Sequence, residues 1–330
     1  MSLGSLSTEV FFIIDGDWLE AQACLLAPTL KRNLMPGQIG VAYLRQDYLH
    51  RLHPFTRAVL DASKVELRTI PETDGTHAPW AKPYPHGNKI LAAAQPRDCD
   101  ISVFLDTDTI LVERVNFAEK LGDALIAACV SDYASAAGSD ADWTAYYAAF
   151  GMEPTQDRVQ YNGGRQLVSY PYFNAGVILF REREADGTPT HLGRDWLSVA
   201  LRFEREVTRE YPRANIDQFT LPILGYLRGI PVQSLDQEMN FNVQAFGQGE
   251  KQRQSIAHYH RLGILWSHDR HGRMALEALI GVMGPDAVET YLDTFGALAK
   301  RKRMKRHIAA VAETSAAARP FGASRARTDP

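Results

Sequence analysis

Short apolar runs alternate with helically spaced stretches through the first hundred residues. Val10–Ile14 is a continuous apolar run of strand length, and a helical stretch follows from Leu19 to about Asn33. Ile39–Leu44 and Val65–Ile70 repeat the strand pattern around a helical segment, Phe55–Ala62. A short helix is expected over Asn88–Ala94, before a further apolar run, Ile101–Leu105. Alternating buried strands and helices predict a mostly parallel sheet flanked by helices, an α/β fold. Such sheets bind ligands in the crevice beyond the carboxyl ends of their strands. Further along, Leu125–Val130, Phe173–Phe180, Ile230–Ser234 and Ile256–Tyr259 read as strands. Trp196–Arg209 and Ile216–Leu227 read as helices, and the pattern from Met274 onward is helical. Between Ser131 and Tyr170 the chain is rich in Gly, Ala, Tyr and Asp, carries Trp143 and Gly163-Gly164, and reads as a long lid or binding loop. Three units are expected: an α/β domain over 1–266, a helical extension over 267–306 with a basic end, and a disordered tail over 307–330.

The run Ile101–Leu105 delivers Asp106-Thr107-Asp108 at the edge where ligands bind. Two carboxylates leaving a buried strand repel each other, and a hard divalent cation with oxygen ligands relieves that repulsion. A metal held this way grips a diphosphate. The plain alternative is a turn of solvated acids. Three later segments add weight to the metal reading. Phe173-Asn174-Ala175-Gly176-Val177 joins an amide to small residues that let a sugar approach the backbone, with Asn174 able to donate to its hydroxyls. Asn215-Ile216-Asp217-Gln218 places a carboxylate and an amide at a helix start, where Asp217 also suits the dipole. Ser255-Ile256-Ala257-His258-Tyr259-His260 ends a strand with two imidazoles on alternate positions.

These segments, in this order, resemble the GT-A glycosyltransferases, and among them the glycogenin and bacterial lipopolysaccharide galactosyltransferase family. The resemblance covers about residues 9–266 and includes the opening Phe11-Phe12-Ile13-Ile14-Asp15 with the helix Leu19-Glu20-Ala21-Gln22. It implies a GT-A (Rossmann-like) fold and transfer of a hexose from a nucleotide sugar, UDP-linked in that family, to a glycan or glycolipid acceptor with retention. It also implies Asp106, Asp108 and His258 as metal ligands, with His260 as the alternative imidazole. A site of two carboxylates and one imidazole suits Mn²⁺ better than Mg²⁺. Asn174, Asp217 and Gln218 are expected to hold the donor sugar, beside Ala175 and Gly176, and Thr107 lies between the metal-binding acids. Asp15 and Asp17 are candidates for the base and ribose, with a turn around Gly16 as their other reading. The chain departs from the family after His258, where Arg261-Leu262-Gly263-Ile264-Leu265-Trp266 stands in place of Gly and then Lys-Pro-Trp. Arg261 is the candidate substitute for the lost phosphate-contacting lysine, and Lys89, unless solvated at its helix start, is a second. Asn240 and Asn242 match the family's segment less closely.

Composition changes this picture little, and charge changes it at one end. The 330 residues are 45% hydrophobic and 23% charged, ordinary for a globular protein. Three separated cysteines without CxxC spacing suit a reducing cytoplasm better than disulfides or zinc. Residues 298–330 carry a net +7 while residues 1–297 carry −10. The run Lys300–Arg306 is therefore either a solvated helix end or a peripheral contact with an anionic membrane, placing the protein in the cytoplasm or at the inner face of the membrane. The acidic body and the lack of a recognition motif argue against nucleic acid. Two rival functions remain at this level. Phe104-Leu105-Asp106-Thr107-Asp108-Thr109 also fits the opening of a haloacid-dehalogenase-like phosphatase with Asp106 as nucleophile. A nucleotide-sugar-binding protein without turnover is the other.

Overall fold

The computed structural model describes residues 6–70, 79–131, 138–161, 167–244 and 253–317. Its first half follows the alternation read from the pattern: β1 (Thr8–Ile14), α1 (Asp17–Asn33), β2 (Gln38–Arg45), α2 (Pro54–Ala62), β3 (Val65–Ile70), α3 (Gly87–Ala93) and β4 (Ile101–Leu105). Next come β5 (Thr109–Leu111), α4 (Phe117–Leu121), β6 (Ile126–Val130), α5 (Asp140–Ala148), β7 (Val159–Tyr161), β8 (Leu167–Ser169) and β9 (Phe173–Arg181). The remainder comprises α6 (Leu192–Glu206), α7 (Ile216–Arg228), β10 (Gln233–Leu235), β11 (Phe241–Asn242), β12 (Ile256–His258), α8 (Leu262–Leu265), α9 (Asp269–Met283), α10 (Ala287–Phe295) and α11 (Arg301–Ala317).

The main sheet has the order β10-β6-β9-β4-β1-β2-β3. Strands β3, β2, β1 and β4 are mutually parallel, β9 runs antiparallel between β4 and β6, and β10 is parallel to β6. Strand β1 is buried along its whole length, which is why Val10–Ile14 is a continuous apolar run rather than an alternating one. Because β1 and β4 are parallel and in register from Thr8↔Ile101 to Phe11↔Phe104, Asp15 and Asp106 leave the sheet at the same edge. A second, three-stranded sheet forms beyond that edge, with β5 antiparallel to β12 and β12 parallel to β11.

Two expectations need correction. The stretch from Ser131 to Tyr170 is not a bare loop. A reciprocal capping box between Ser139 and Asp142 starts α5, whose Trp143, Tyr146 and Tyr147 are buried in the main core, and β7 and β8 pair as a hairpin. Gly163 and Gly164 lie outside the described residues. The helix expected over Trp196–Arg209 starts and ends one turn earlier. It begins after His191, a non-glycine residue at φ 58, so that Gly193 can meet the carbonyl of Ala93, where a Cβ would lie 1.9 Å from the oxygen.

The C-terminal helices share a core with the α/β layer. Ala21, Cys24 and Leu25 of α1 and Phe55 of α2 pack in one cluster with Trp266, Leu276 and Tyr291, and the Tyr291 hydroxyl donates to the Ala21 carbonyl at 3.1 Å. A division after residue 266 therefore cuts through a single core. Helix α11 runs to Ala317, so the boundary drawn at 306 falls inside a helix. Among the described residues no helix is long and apolar enough to cross a membrane.

Candidate active site

Asp106 and Asp108 occupy the tight turn between β4 and β5. The backbone N–H of Asp106 donates to the Gly176 carbonyl at 2.7 Å, and the Thr109 N–H closes the turn on the Asp106 carbonyl at 3.1 Å. Thr107 is buried, and its hydroxyl donates to the Ile13 carbonyl at 2.5 Å, tying the turn to the end of β1. The antiparallel register His258↔Thr109 then brings the imidazole beside the acids from 150 residues downstream. His258 Nε2 lies 3.0 Å from Asp108 Oδ1 and 3.9 Å from Asp106 Oδ2.

The other ring nitrogen fixes the orientation. His258 Nδ1 is 2.9 Å from Asn240 Oδ1, Asn240 Nδ2 donates to Asn174 Oδ1 at 2.9 Å, and that same oxygen accepts the Gly176 N–H at 2.8 Å. With Asn240 accepting, the proton sits on Nδ1 and Nε2 faces the carboxylates. A ligating histidine held this way is more basic and less mobile. Burial works to discharge His258, but the charge of Asp108 and its hydrogen bond raise the imidazole above its ordinary value. Burial likewise works to raise Asp108, and the contact with His258 outweighs it, pulling the carboxyl down to about 2. His260, at φ 55, stands with its ring centroid 4.0 Å from that of His258. Asp108, His258 and His260 each offer a ligand atom within 4.8 Å of the others. Both imidazoles thus reach Asp108.

Lys89, a candidate phosphate contact with a solvated helix start as its other reading, is not solvated. It is buried, with Nζ 2.9 Å from Asp106 Oδ1, 3.0 Å from Asp217 Oδ2 and 3.2 Å from the Ala175 carbonyl, over the ring of Phe104. Burial works to neutralise it, and the two carboxylates more than reverse that, so it stays charged. Its helix can sit this close because Gly87 leaves room for Trp80, whose indole would lie 2.4 Å from an added Cβ. Beside this pair opens a cleft of about 350 Å³, lined by Ile13, Asp15, Trp18, Leu19, Gln22, Pro85, His86, Lys89, Phe104 and Asp106–Asp108.

Comparison with known proteins gives the family and the fold. The Rhodobacterales glycosyltransferase domain matches residues 10–225. The chain belongs to that family. The glycosyltransferase has the GT-A fold. Its structure aligns with the bifunctional glycosyltransferase WbbM at a TM-score of 0.53 and 15% identity, over 88% of this chain and 52% of that one. The galactosyltransferase LgtC, solved with donor and acceptor sugar analogues, aligns at a TM-score of 0.49 and 17% identity over 88% and 96% of the two chains. GlyE of Streptococcus pneumoniae aligns at 0.46 and 15% over 86% and 64%. The comparison with curated proteins finds no sequence match. Family membership sets aside the phosphatase alternative.

Among the residues singled out from the glycosyltransferase sequence, the fold gathers Asp106, Thr107, Asp108, Asn174, Ala175, Gly176, Asp217, His258 and Lys89 into one connected cluster. Asp15 lines the cleft, accepts from Asn88 Nδ2 at 2.7 Å, and is raised by burial against the pull of Arg45. Gln218 is half-buried, its N–H donating to Asp217 Oδ1 at 3.0 Å. Asp17 is exposed in the first turn of α1, 3.4 Å from the Tyr48 hydroxyl, and is not part of the cleft lining. Arg261 is exposed at the start of α8, also outside that lining. Gly176 is small for a reason other than sugar access: an added Cβ would stand 2.7 Å from His258 Cε1 and 2.9 Å from Asn174 Oδ1. Asn174 uses its oxygen inside the protein rather than toward a ligand. Asn240, passed over as a weak motif match, is the residue that orients His258; an amide near a motif histidine in space leaves no mark in spacing.

Proposed function

We propose that the glycosyltransferase moves a hexose from a nucleotide sugar, UDP-linked, to a glycan or glycolipid acceptor with retention, using a divalent metal held by Asp106, Asp108 and His258. One observation carries the reading: two carboxylates and an oriented imidazole converge at the carboxyl edge of the sheet, beside a cleft of nucleotide size. The donor set fits the metal. The carboxylate oxygens of Asp106 and Asp108 lie 3.9 and 3.0 Å from His258 Nε2, which would give up its proton to an entering ion, the buried imidazole is aligned by Asn240, and the mixture of nitrogen and oxygen favours Mn²⁺ over Mg²⁺. The ion supplies charge neutralisation for the departing diphosphate.

The chain's own residues do the rest. Lys89 holds Asp106 and Asp217 in place, and Asp217 with Gln218 receives the sugar hydroxyls at the start of α7. Peripheral membrane attachment would rest on Lys300, Lys302 and Lys305, because neighbouring arginines are engaged internally. Arg301 pairs with Glu289, Arg303 donates to the Gly263 carbonyl and Arg306 to that of Trp266.

The test is thermal unfolding with UDP and a panel of UDP-sugars, with and without Mn²⁺. The proposal expects stabilisation that requires the metal and disappears in Asp108→Ala. Stabilisation by UDP that is indifferent to Mn²⁺ and to Asp108 would defeat it. Binding without any turnover would favour the binding-protein reading instead.

A further inference from the structure

We propose that His260 is a second nitrogen ligand to the divalent ion, so that the protein offers it two imidazoles as well as two carboxylates; this deepens the metal reading above and rests on it. Among the described residues, Asp108, His258 and His260 form the one group of three metal-ligating side chains whose donor atoms all lie within 4.8 Å of one another. Asp106 flanks that group. Its Oδ2 is 3.9 Å from His258 Nε2, while its Oδ1 is 2.9 Å from Lys89 Nζ, so part of its charge is already answered inside the protein. His260, and not Asp106, completes the compact donor set.

The backbone is shaped to keep the second ring there. Tyr259, between the two histidines, is buried in the C-terminal core, and its N–H donates to the Asp108 carbonyl at 3.0 Å. Directly after it the chain turns back: the Arg261 N–H donates to the Tyr259 carbonyl at 2.5 Å, a three-residue turn with His260 at its centre and at φ 55. That conformation is uncommon for a residue with a side chain, and glycine takes it freely. A histidine held in it puts its ring centroid 4.0 Å from that of His258, beside the same carboxylate. Backbone conformations of this kind persist where a site uses them. The second imidazole has a chemical consequence. Mg²⁺ is held by oxygen, whereas imidazole suits the borderline transition ions, so each added nitrogen widens the preference for an ion such as Mn²⁺.

The experiment counts the nitrogens on the ion. Mn²⁺ is bound to the whole enzyme with UDP present, and electron spin-echo modulation reads the nitrogen couplings at the metal in wild type, His260→Asn and His258→Asn. Asparagine accepts a positive φ and brings no imidazole. Wild type should show two coordinated imidazole nitrogens and each variant one. Calorimetric titrations with Mn²⁺ and with Mg²⁺ then read the preference. His260→Asn should lose at least the ~10–100-fold in Mn²⁺ affinity that removing even a supporting group of a metal site costs, while its Mg²⁺ affinity changes little. A single nitrogen in wild type, a spectrum that His260→Asn leaves unchanged, or an equal loss for both ions would overturn the assignment. The count in wild type decides even where a variant fails to fold. If Mn²⁺ does not bind wild type at all, the metal reading falls and this inference with it; if it binds through the one nitrogen of His258, only the inference falls.

Discussion

Replacing Lys89 with Met tests how the cluster is held together before any ligand binds. The side chain keeps its length and its contact with Phe104, but the ammonium that spans Asp106 Oδ1, Asp217 Oδ2 and the Ala175 carbonyl is gone. Asp217 is buried, with its side chain 3% exposed, whereas that of Asp106 is 28% exposed and rehydrates more easily. Breaking a buried pair by removing one partner costs about 3–5 kcal/mol. A stranded aspartate can instead take up a proton. Against an ordinary carboxyl pKa of about 3.9, that escape costs about 4 kcal/mol at pH 7 and about 2 kcal/mol at pH 5.5. The variant should therefore unfold about 6–10 °C below wild type at pH 7, at about 2 °C per kcal/mol for a chain of this size. The sign with pH follows from proton uptake: the folded variant binds a proton that the wild type does not, so its deficit shrinks as pH falls toward 5.5. Calorimetric melts of wild type, Lys89→Met and Lys89→Met/Asp217→Asn at both pH values decide the matter. The second substitution should recover most of the loss. A deficit below about 1 kcal/mol, one that does not change with pH, or one that Asp217→Asn leaves untouched would refute the reasoning.

Two further outcomes follow from the same structure. His271 is buried in the first turn of α9, its Nε2 2.6 Å from Gln254 Oε1 and its Nδ1 without a partner among the described residues. Burial, then the charges of His268 and Arg270, pull it down to about 4 from 6.5. The unfolded chain binds the proton first, so this contribution is complete above pH 6.5 and is lost as pH falls toward 4. It amounts to about 3 kcal/mol, and urea unfolding of His271→Gln between pH 4 and 7 should show a flatter acid limb than wild type. Gly176→Ala places a methyl group against His258 and Asn174. It should cost about 1–3 kcal/mol through overpacking and weaken Mn²⁺ binding, as read by calorimetry without nucleotide; an unchanged melt would remove the steric argument.

The α/β alternation was legible because buried parallel strands leave short, largely apolar runs, as Val10–Ile14 and Ile101–Leu105 do, while the edge strand Val65–Ile70 alternates with polar residues. The acids were legible because they follow one of those runs directly. The stretch around Trp143 was misread as loop because its helix is short and its aromatic residues carry no clear helical spacing. The acidic enclosure of Lys89 was not legible because nothing local announces that two carboxylates, one just after β4 and one from α7, will surround a lysine.

What the sequence determined by itself was the strand–helix alternation of the first half, the sheet edge at which Asp15, Asp106 and Asp108 emerge, and the acids and imidazoles that are candidates to hold a metal. The tertiary structure decided the rest. The β5–β12 register set His258 against Asp108, the Asn240–Asn174–Gly176 chain oriented its ring, and the packing of α3 on the sheet buried Lys89 between acids. The physical reason is range: strand and helix periodicity is written in neighbouring residues, whereas a side chain's charge, orientation and missing partner depend on atoms that only folding brings within 3 Å.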